Sequence, residues 1–199
     1  MASLVARYGP PPLWARRPGF ATLLRIILEQ QVSLASARAL YQRLARTVSP
    51  LSPSGILTLG QAGLQRVGLT RQKASYACAL ADRVTQGTLD FRHLTRCSDA
   101  EAGECLMRVP GIGPWSANIY LLMALRRPDI WPPGDLALQK ALARFHGSAA
   151  RLTLGEVDQL TARWRPLRAV AARILWHAYL AGWLPAPEYA DATGVQSVT

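Results

Sequence analysis

The sequence predicts an all-α fold, on three observations. Apolar residues recur at helical spacing along most of the chain, helix-start and helix-stop residues punctuate it, and no stretch alternates apolar and polar residues as a half-buried strand does. Residues 20–48 show the pattern well. Phe20, Leu23, Leu24, Ile27 and Leu28, then Leu40 and Leu44, fall on a helical period. The run splits into two helices near residues 31–34, where Ser33 supplies a cap for the second. Upstream, residues 1–17 are rich in Pro, Gly and Arg and read as an N-terminal arm. Downstream, SPLSPSG (49–55) is a loop before a short helix around residues 56–59. Gly68 ends the next element and Thr70 caps the one after it. QGTLD is a turn, and Ser98 or Asp99 starts a helix that ends at Arg108. After PGIGP comes a helix over residues 115–125, then the loop RRPDIWPPG. Asp135 opens LALQKALARF, Thr153 caps GEVDQLTARW, and Pro166 starts the last helix. This makes about nine or ten helices in one domain, residues 18–185, followed by a flexible tail at 186–199.

Composition narrows the function. Half of the 199 residues are hydrophobic and 18% are charged, as in a folded globular protein. Lys and Arg number 23 against 12 Asp and Glu, a formal net charge of +11 that favours a polyanionic partner. Only Lys73 and Lys140 are lysines; the rest of the positive charge is arginine, whose forked donors suit phosphate. No apolar run reaches the length of about 18 residues that a membrane span needs, and no signal peptide opens the chain. A cytoplasmic protein with reduced thiols is expected. Cys78, Cys97 and Cys105 form no Cys-x-x-Cys, and His93, His146 and His177 stand apart. Neither a zinc site nor an iron–sulfur cluster is expected from such a set.

The chemistry concentrates at VPGIGPWSAN (109–118). A dinucleotide-binding turn needs a preceding strand and a third glycine, and a P-loop needs Gly-Lys-Ser/Thr; this stretch has neither. Two readings remain. One is a helix–turn–helix whose Gly111 and Gly113 bare their amides to a nucleic-acid phosphate. The other is a plain helix–helix turn, with glycine stopping one helix and proline starting the next. Asp135 likewise reads either as a helix cap or as a functional carboxylate. A weak echo, VGLTRQKA, also puts glycine before a helix start, and Arg71 and Lys73 there are candidate phosphate contacts. Arg163, Arg165 and Arg168 are further candidates.

Five stretches in order, LEQQVSLASARAL (28–40), GLTRQKASYACALA (68–81), RVPGIGPWSANIYLLMAL (108–125), PPGDLALQKAL (132–142) and RWRPLRAVAARILWHAY (163–179), resemble the helix-hairpin-helix (HhH-GPD) DNA glycosylase superfamily. The branch they look like is the bacterial 3-methyladenine DNA glycosylase II (AlkA-like) family. The resemblance spans residues 18–185, without the N-terminal α/β domain of the larger members. It implies a two-lobed helical fold with an active-site cleft between the lobes. The amides of Gly111, Gly113 and Ser116 would hold a phosphate of damaged double-stranded DNA. The backbone carbonyls of Met107, Val109 and Ile112 would bind a monovalent cation, sodium or potassium. Asp135 would be catalytic. Trp115 and Trp176 would line the base pocket, with Trp131, Ile119 and Tyr120; a family tyrosine stands where this chain has Ile119. Gln31, with Gln30 beside it, falls at the wedge that fills the gap left by a flipped base, although leucine is the better-known wedge.

The implied reaction suits one carboxylate. Breaking an N-glycosidic bond builds positive charge on the sugar. A fixed anion stabilises that charge and orients the attacking water. An alkylated purine already carries positive charge, so it leaves readily. Where the family's strand-nicking members carry a lysine nucleophile, this chain has Trp115, and an indole forms no Schiff base. A monomeric, monofunctional glycosylase of base excision repair that leaves an abasic site is therefore expected. The alternatives are a mismatch or oxidised-base glycosylase of the same superfamily, or a non-catalytic DNA-binding or damage-sensing module. Whether Asp135, Trp115 and Trp176 converge on one cleft separates enzyme from module.

Overall fold

Eleven helices and no strand form among the residues that the computed structural model describes, 1–148 and 150–183. They are α1 Ala2–Tyr8, α2 Phe20–Glu29, α3 Leu34–Thr47, α4 Pro53–Val67, α5 Arg71–Thr85, α6 Phe91–Arg96, α7 Asp99–Met107, α8 Pro114–Met123, α9 Leu136–Phe145, α10 Leu154–Ala162 and α11 Arg168–Leu180. None is long and apolar enough to cross a membrane.

Capping side chains set most of the starts. Ser33, Ser52, Thr70, Ser98 and Thr153 each accept the backbone N–H three residues on. Ser98 with Glu101, and Thr153 with Glu156, close reciprocal capping boxes. Each such cap contributes about 1 kcal/mol. Gly68 ends α4 in the left-handed region, φ 113°. Within α4, Gly60 at φ 65° breaks the helix, so the short helix and its successor expected there are two pieces across a kink.

The helices form two lobes. In the first, α2 is the central element: Leu23, Leu24, Ile26, Ile27 and Leu28 are fully buried, and α3, α5 and α8 pack on it. Each such side chain contributes about 1.5–3 kcal/mol of burial. The second lobe pairs α9 with α11 and lays α1 on α11. Fully buried Tyr120 of α8 accepts the N–H of Gly19, the N-cap of α2, at 2.8 Å and so fixes the start of α2 just after the arm. Burial pushes its phenol up to about 12.

Three elements depart from expectation. The arm opens with a helix, α1, whose Leu4 is buried; its one buried residue leaves no periodic pattern to read. The six-residue α6, capped by Asp90, is likewise too short for a periodic signal. α8 stops at Met123, two residues early, before Arg126 turns left-handed at φ 55°. The expected tail at 186–199, and the domain boundary at 185, lie outside the described residues.

Candidate active site

Asp135 stands where the two lobes meet. As N-cap of α9, its Oδ1 accepts the Leu138 amide at 2.9 Å. The same oxygen accepts Nε1–H of Trp176, on α11, at 3.1 Å. Its Oδ2 accepts Nε1–H of Trp115, from the first turn of α8, at 3.0 Å. So Asp135, Trp115 and Trp176 converge, from three helices and both lobes. A carboxylate has about four lone-pair positions. Three donors occupy three of them, and the remaining one lies on Oδ2. Asp135 and Trp115 are partly exposed, while Trp176 keeps 8% of its surface.

The turn before α8 is built around two glycines with different reasons to be glycine. Gly111 sits at φ 86°, and a Cβ there would lie 2.3 Å from the Tyr76 ring of α5, so sterics exclude any side chain. Gly113, the N-cap of α8, is extended at φ −94°, and a Cβ there would meet nothing within 4 Å. It provides no side-chain cap. The amides of Gly111, Gly113 and Ser116 donate to no acceptor among the described residues. A bare helix start of this kind has the donors and the partial positive charge to receive an anion. In the same turn, the carbonyls of Met107 and Ile112 accept no hydrogen bond among the described residues, and that of Val109 accepts only the Ile112 amide, 3.0 Å away. Oxygen donors with free lone pairs fit a hard monovalent cation.

Several expected roles change. Gln30 is not free to act as a wedge: its Nε2 donates to the Gly111 carbonyl and to Ser116 Oγ, each at 2.8 Å, and so braces the glycine turn. Gln31 remains exposed at the turn between α2 and α3, held at φ 55°. Tyr120 is core, not pocket wall, facing Gly19 and the Phe91 ring 6.0 Å away. Ile119 is also buried, one helical turn beyond Trp115 and on the same face. Trp131 stacks on Trp164 at 6.1 Å, and Trp164 also packs on Phe145 and His146, so its ring belongs to a separate aromatic cluster.

The candidate phosphate contacts divide in the same way. Lys73 donates Nζ to the Leu28 carbonyl at 2.8 Å, and burial lowers its pKa; it ties α5 to α2. Arg168 is committed to Asp129 through Nε at 2.8 Å and Nη2 at 3.0 Å, which holds that carboxyl below its ordinary range. Arg163 contacts the His146 ring at 2.8 Å and lies over Trp164. Arg71 and Arg165 are exposed without a carboxylate partner among the described residues. Sequence reasoning missed Tyr76 beneath Gly111 and Trp14 of the arm, whose ring meets Trp176 edge-on at 6.3 Å. Neither carries a motif, and a tryptophan among prolines is the one visible sign of the second.

Comparison with known proteins bears on the whole arrangement. The chain is 29% identical over 194 residues to DNA-3-methyladenine glycosylase 2 of Escherichia coli, covering 87% of this chain and 64% of the relative. It is 23% identical over 186 residues to the putative DNA-3-methyladenine glycosylase YfjP of Bacillus subtilis, covering 89% and 65%. The chain thus spans just under two thirds of the length of both curated relatives. The crystal structure of a DNA-3-methyladenine glycosidase from Bacillus halodurans superposes with a TM-score of 0.77 at 26% identity, covering 89% of this chain and 83% of that one. The family model for HhH-GPD superfamily base excision DNA repair proteins matches residues 24–166, a span that includes the glycine turn, Trp115 and Asp135, and the chain belongs to that superfamily.

Proposed function

We propose that this chain is a monofunctional DNA glycosylase that flips alkylated bases, of the 3-methyladenine and 7-methylguanine type, out of duplex DNA and hydrolyses their N-glycosidic bond. The observation that carries this reading is the Asp135 carboxylate, held by two indole N–H groups and one amide beside a bare helix N-terminus. A binding module needs the bare helix start but has no use for a carboxylate fixed from three helices.

The chain's residues divide the work. The free amides of Gly111, Gly113 and Ser116 hold one backbone phosphate, and this fixes register without reading sequence. The carbonyls of Met107, Val109 and Ile112 would hold sodium or potassium beside it, which supplies positive charge next to the phosphate. Gln31, at the exposed turn, fills the stack when the base leaves it. The flipped base enters the cleft against Trp115 and Trp176, where an aromatic face attracts a cationic purine by about 0.5–2 kcal/mol. As the bond stretches, the open lone pair on Asp135 Oδ2 faces the charge developing on the sugar and orients the incoming water. The base departs with the bonding electrons, which neutralise its positive charge, and the water oxygen bonds to the sugar carbon while one water proton passes to the Asp135 carboxylate and on to solvent.

Strand cleavage by β-elimination needs an amine nucleophile in the cleft. Trp115 stands at that position, Lys73 is tied to Leu28, and Lys140 lies on the exposed side of α9. These placements support an abasic product with an intact backbone. One chain supplies every residue named, in keeping with a monomer.

Base release from methylated duplex DNA tests the reading. Free 3-methyladenine or 7-methylguanine, with strand breaks appearing only after alkali, is the expected result. Breaks without alkali would overturn the monofunctional assignment. Duplex binding with no base release would overturn the enzyme.

A further inference from the structure

The geometry points to Trp14, in the N-terminal arm, as a positioning residue that holds Trp176 and through it the Asp135 carboxylate. This inference rests on the cleft around Asp135 being the reactive site.

Trp176 is placed by its neighbours. Its Nε1–H bond to Asp135 fixes one edge of the ring. Trp14 meets the ring at 6.3 Å and 84°, an edge-to-face contact, and also meets His177 at 6.4 Å. Such aromatic pairs contribute beyond their buried area, and their geometry is directional. Trp14 itself sits at φ 45°, a left-handed conformation that a bulky residue adopts only when its surroundings impose it.

Those surroundings are a strap. His177 Nε2 lies 2.9 Å from the Tyr8 carbonyl. Buried Arg173 donates Nε to the Leu13 carbonyl at 3.1 Å, immediately before Trp14. The Arg16 amide donates to the Met123 carbonyl at 2.9 Å, just after it. The Arg16 guanidinium then pairs bidentately with Glu29, at 2.8 and 3.0 Å. Glu29 is the last residue of α2, directly before Gln30, which braces the glycine turn. The arm therefore joins both sides of the site, with Trp14 against the residue that orients the carboxylate and Arg16 paired to the end of α2, whose next residue, Gln30, braces the turn.

The test uses the full chain labelled with ¹⁵N at the indole nitrogens. The Trp176 Nε1–H resonance is assigned by its loss in Trp176→Phe. In Trp14→Ala that resonance is expected to shift or broaden. The single-turnover base-release rate is expected to fall about tenfold, with affinity for undamaged duplex unchanged. Trp14→Phe, which keeps an aromatic edge, is expected to restore most of the rate and the resonance. If Trp14→Ala does not fold, Arg16→Gln loosens the same strap with the ring present, and the same resonance is expected to move. An unmoved Trp176 resonance in the folded variant overturns the inference, as does a rate loss that Trp14→Phe fails to rescue. If the wild type releases no methylated base, the glycosylase reading fails, and the resonance still decides whether Trp14 positions Trp176.

Discussion

Two helices begin at the cleft, and they begin in opposite ways. The start of α8 is bare: Gly113 gives no side-chain cap, and the amides of Gly113 and Ser116 point to no acceptor among the described residues. The start of α9 is filled: Asp135 accepts the Leu138 amide and two indole N–H groups. Both ends carry the same partial positive charge of a helix N-terminus, about half a unit. At α8 that charge faces outward and asks for an anion. At α9 an anion is built in, and its spare lone pair faces outward and asks for a cation. The start of α5, echoed in VGLTRQKA, is a third case: Thr70 caps it with a neutral hydroxyl, and Lys73 is turned inward to Leu28. Glycine before a helix thus says little about function. The cap residue decides which sign of charge the helix presents.

Breaking the α9 side has the largest expected effect. Asp135→Asn keeps the N-cap bond through Oδ1, but its NH2 group replaces Oδ2 and cannot accept the Trp115 N–H, so the melting temperature should fall by a few degrees at most. On the proposed function the charge that faces the sugar is lost, and single-turnover base release should fall by about 10²–10³-fold, some 3–4 kcal/mol. Duplex affinity should not weaken, because the α8 side is untouched. An Asn variant that released base at the wild-type rate would reduce Asp135 to a cap and erase the contrast between the two starts.

Next in size is Gly111→Ala. The added methyl overlaps the Tyr76 ring, and the residue must also hold φ 86°. Overpacking of this kind costs about 1–3 kcal/mol, and thermal unfolding should report it as a fall of several degrees. Because Gly111 lies between Tyr76 and the Gln30 brace, weaker duplex binding should accompany the loss. Trp176→Phe follows. It keeps an aromatic ring and removes one N–H donor to the carboxylate. A hydrogen bond to a charged group is worth about 1.5–3 kcal/mol, so base release should drop by about ten- to a hundredfold with duplex affinity unchanged. Trp115→Phe removes the donor to the other oxygen and should act similarly. A normal rate in both variants would mean that the indoles are walls and not holders.

How much of this was legible beforehand follows from where each signal lies. The helices with strong periodicity and a Ser or Thr cap, α3, α5, α7 and α10, start where their cap residues predict. The glycine turn and Asp135 were legible because turn chemistry and cap chemistry are local. That both indoles donate to Asp135 was not. Trp115 and Trp176 come from different lobes, and their convergence depends on packing between helices distant in sequence. Gln30 and Gln31 show the same limit at close range. They are chemically identical neighbours, and the extended backbone at Gln30 and the left-handed one at Gln31 send one amide inward to the turn and leave the other exposed. Tyr120 was expected in the pocket because it follows Ile119, where the family has a tyrosine, but one residue along a helix points to another face, and there burial and the Gly19 N–H absorb it.

The smallest effect is the sharpest probe of the α8 side. Gly113→Ala introduces no backbone strain, since φ is −94°, and its methyl enters open space. Stability should change by less than about 1 kcal/mol, the scale of a lost cap preference. The same methyl sits on a residue whose own amide is bare. If those amides hold a phosphate, one weakened hydrogen bond costs about 1 kcal/mol, read as a fivefold rise in duplex Kd at moderate salt. Thermal melting and a salt-controlled binding titration on the same protein separate the two effects. A raised Kd at an unchanged melting temperature means that glycine is there for the ligand. A lowered melting temperature with an unchanged Kd means that PGIGP is a plain turn between helices, that α8 and α9 do not differ as anion and cation sites, and that DNA is gripped elsewhere on this basic surface.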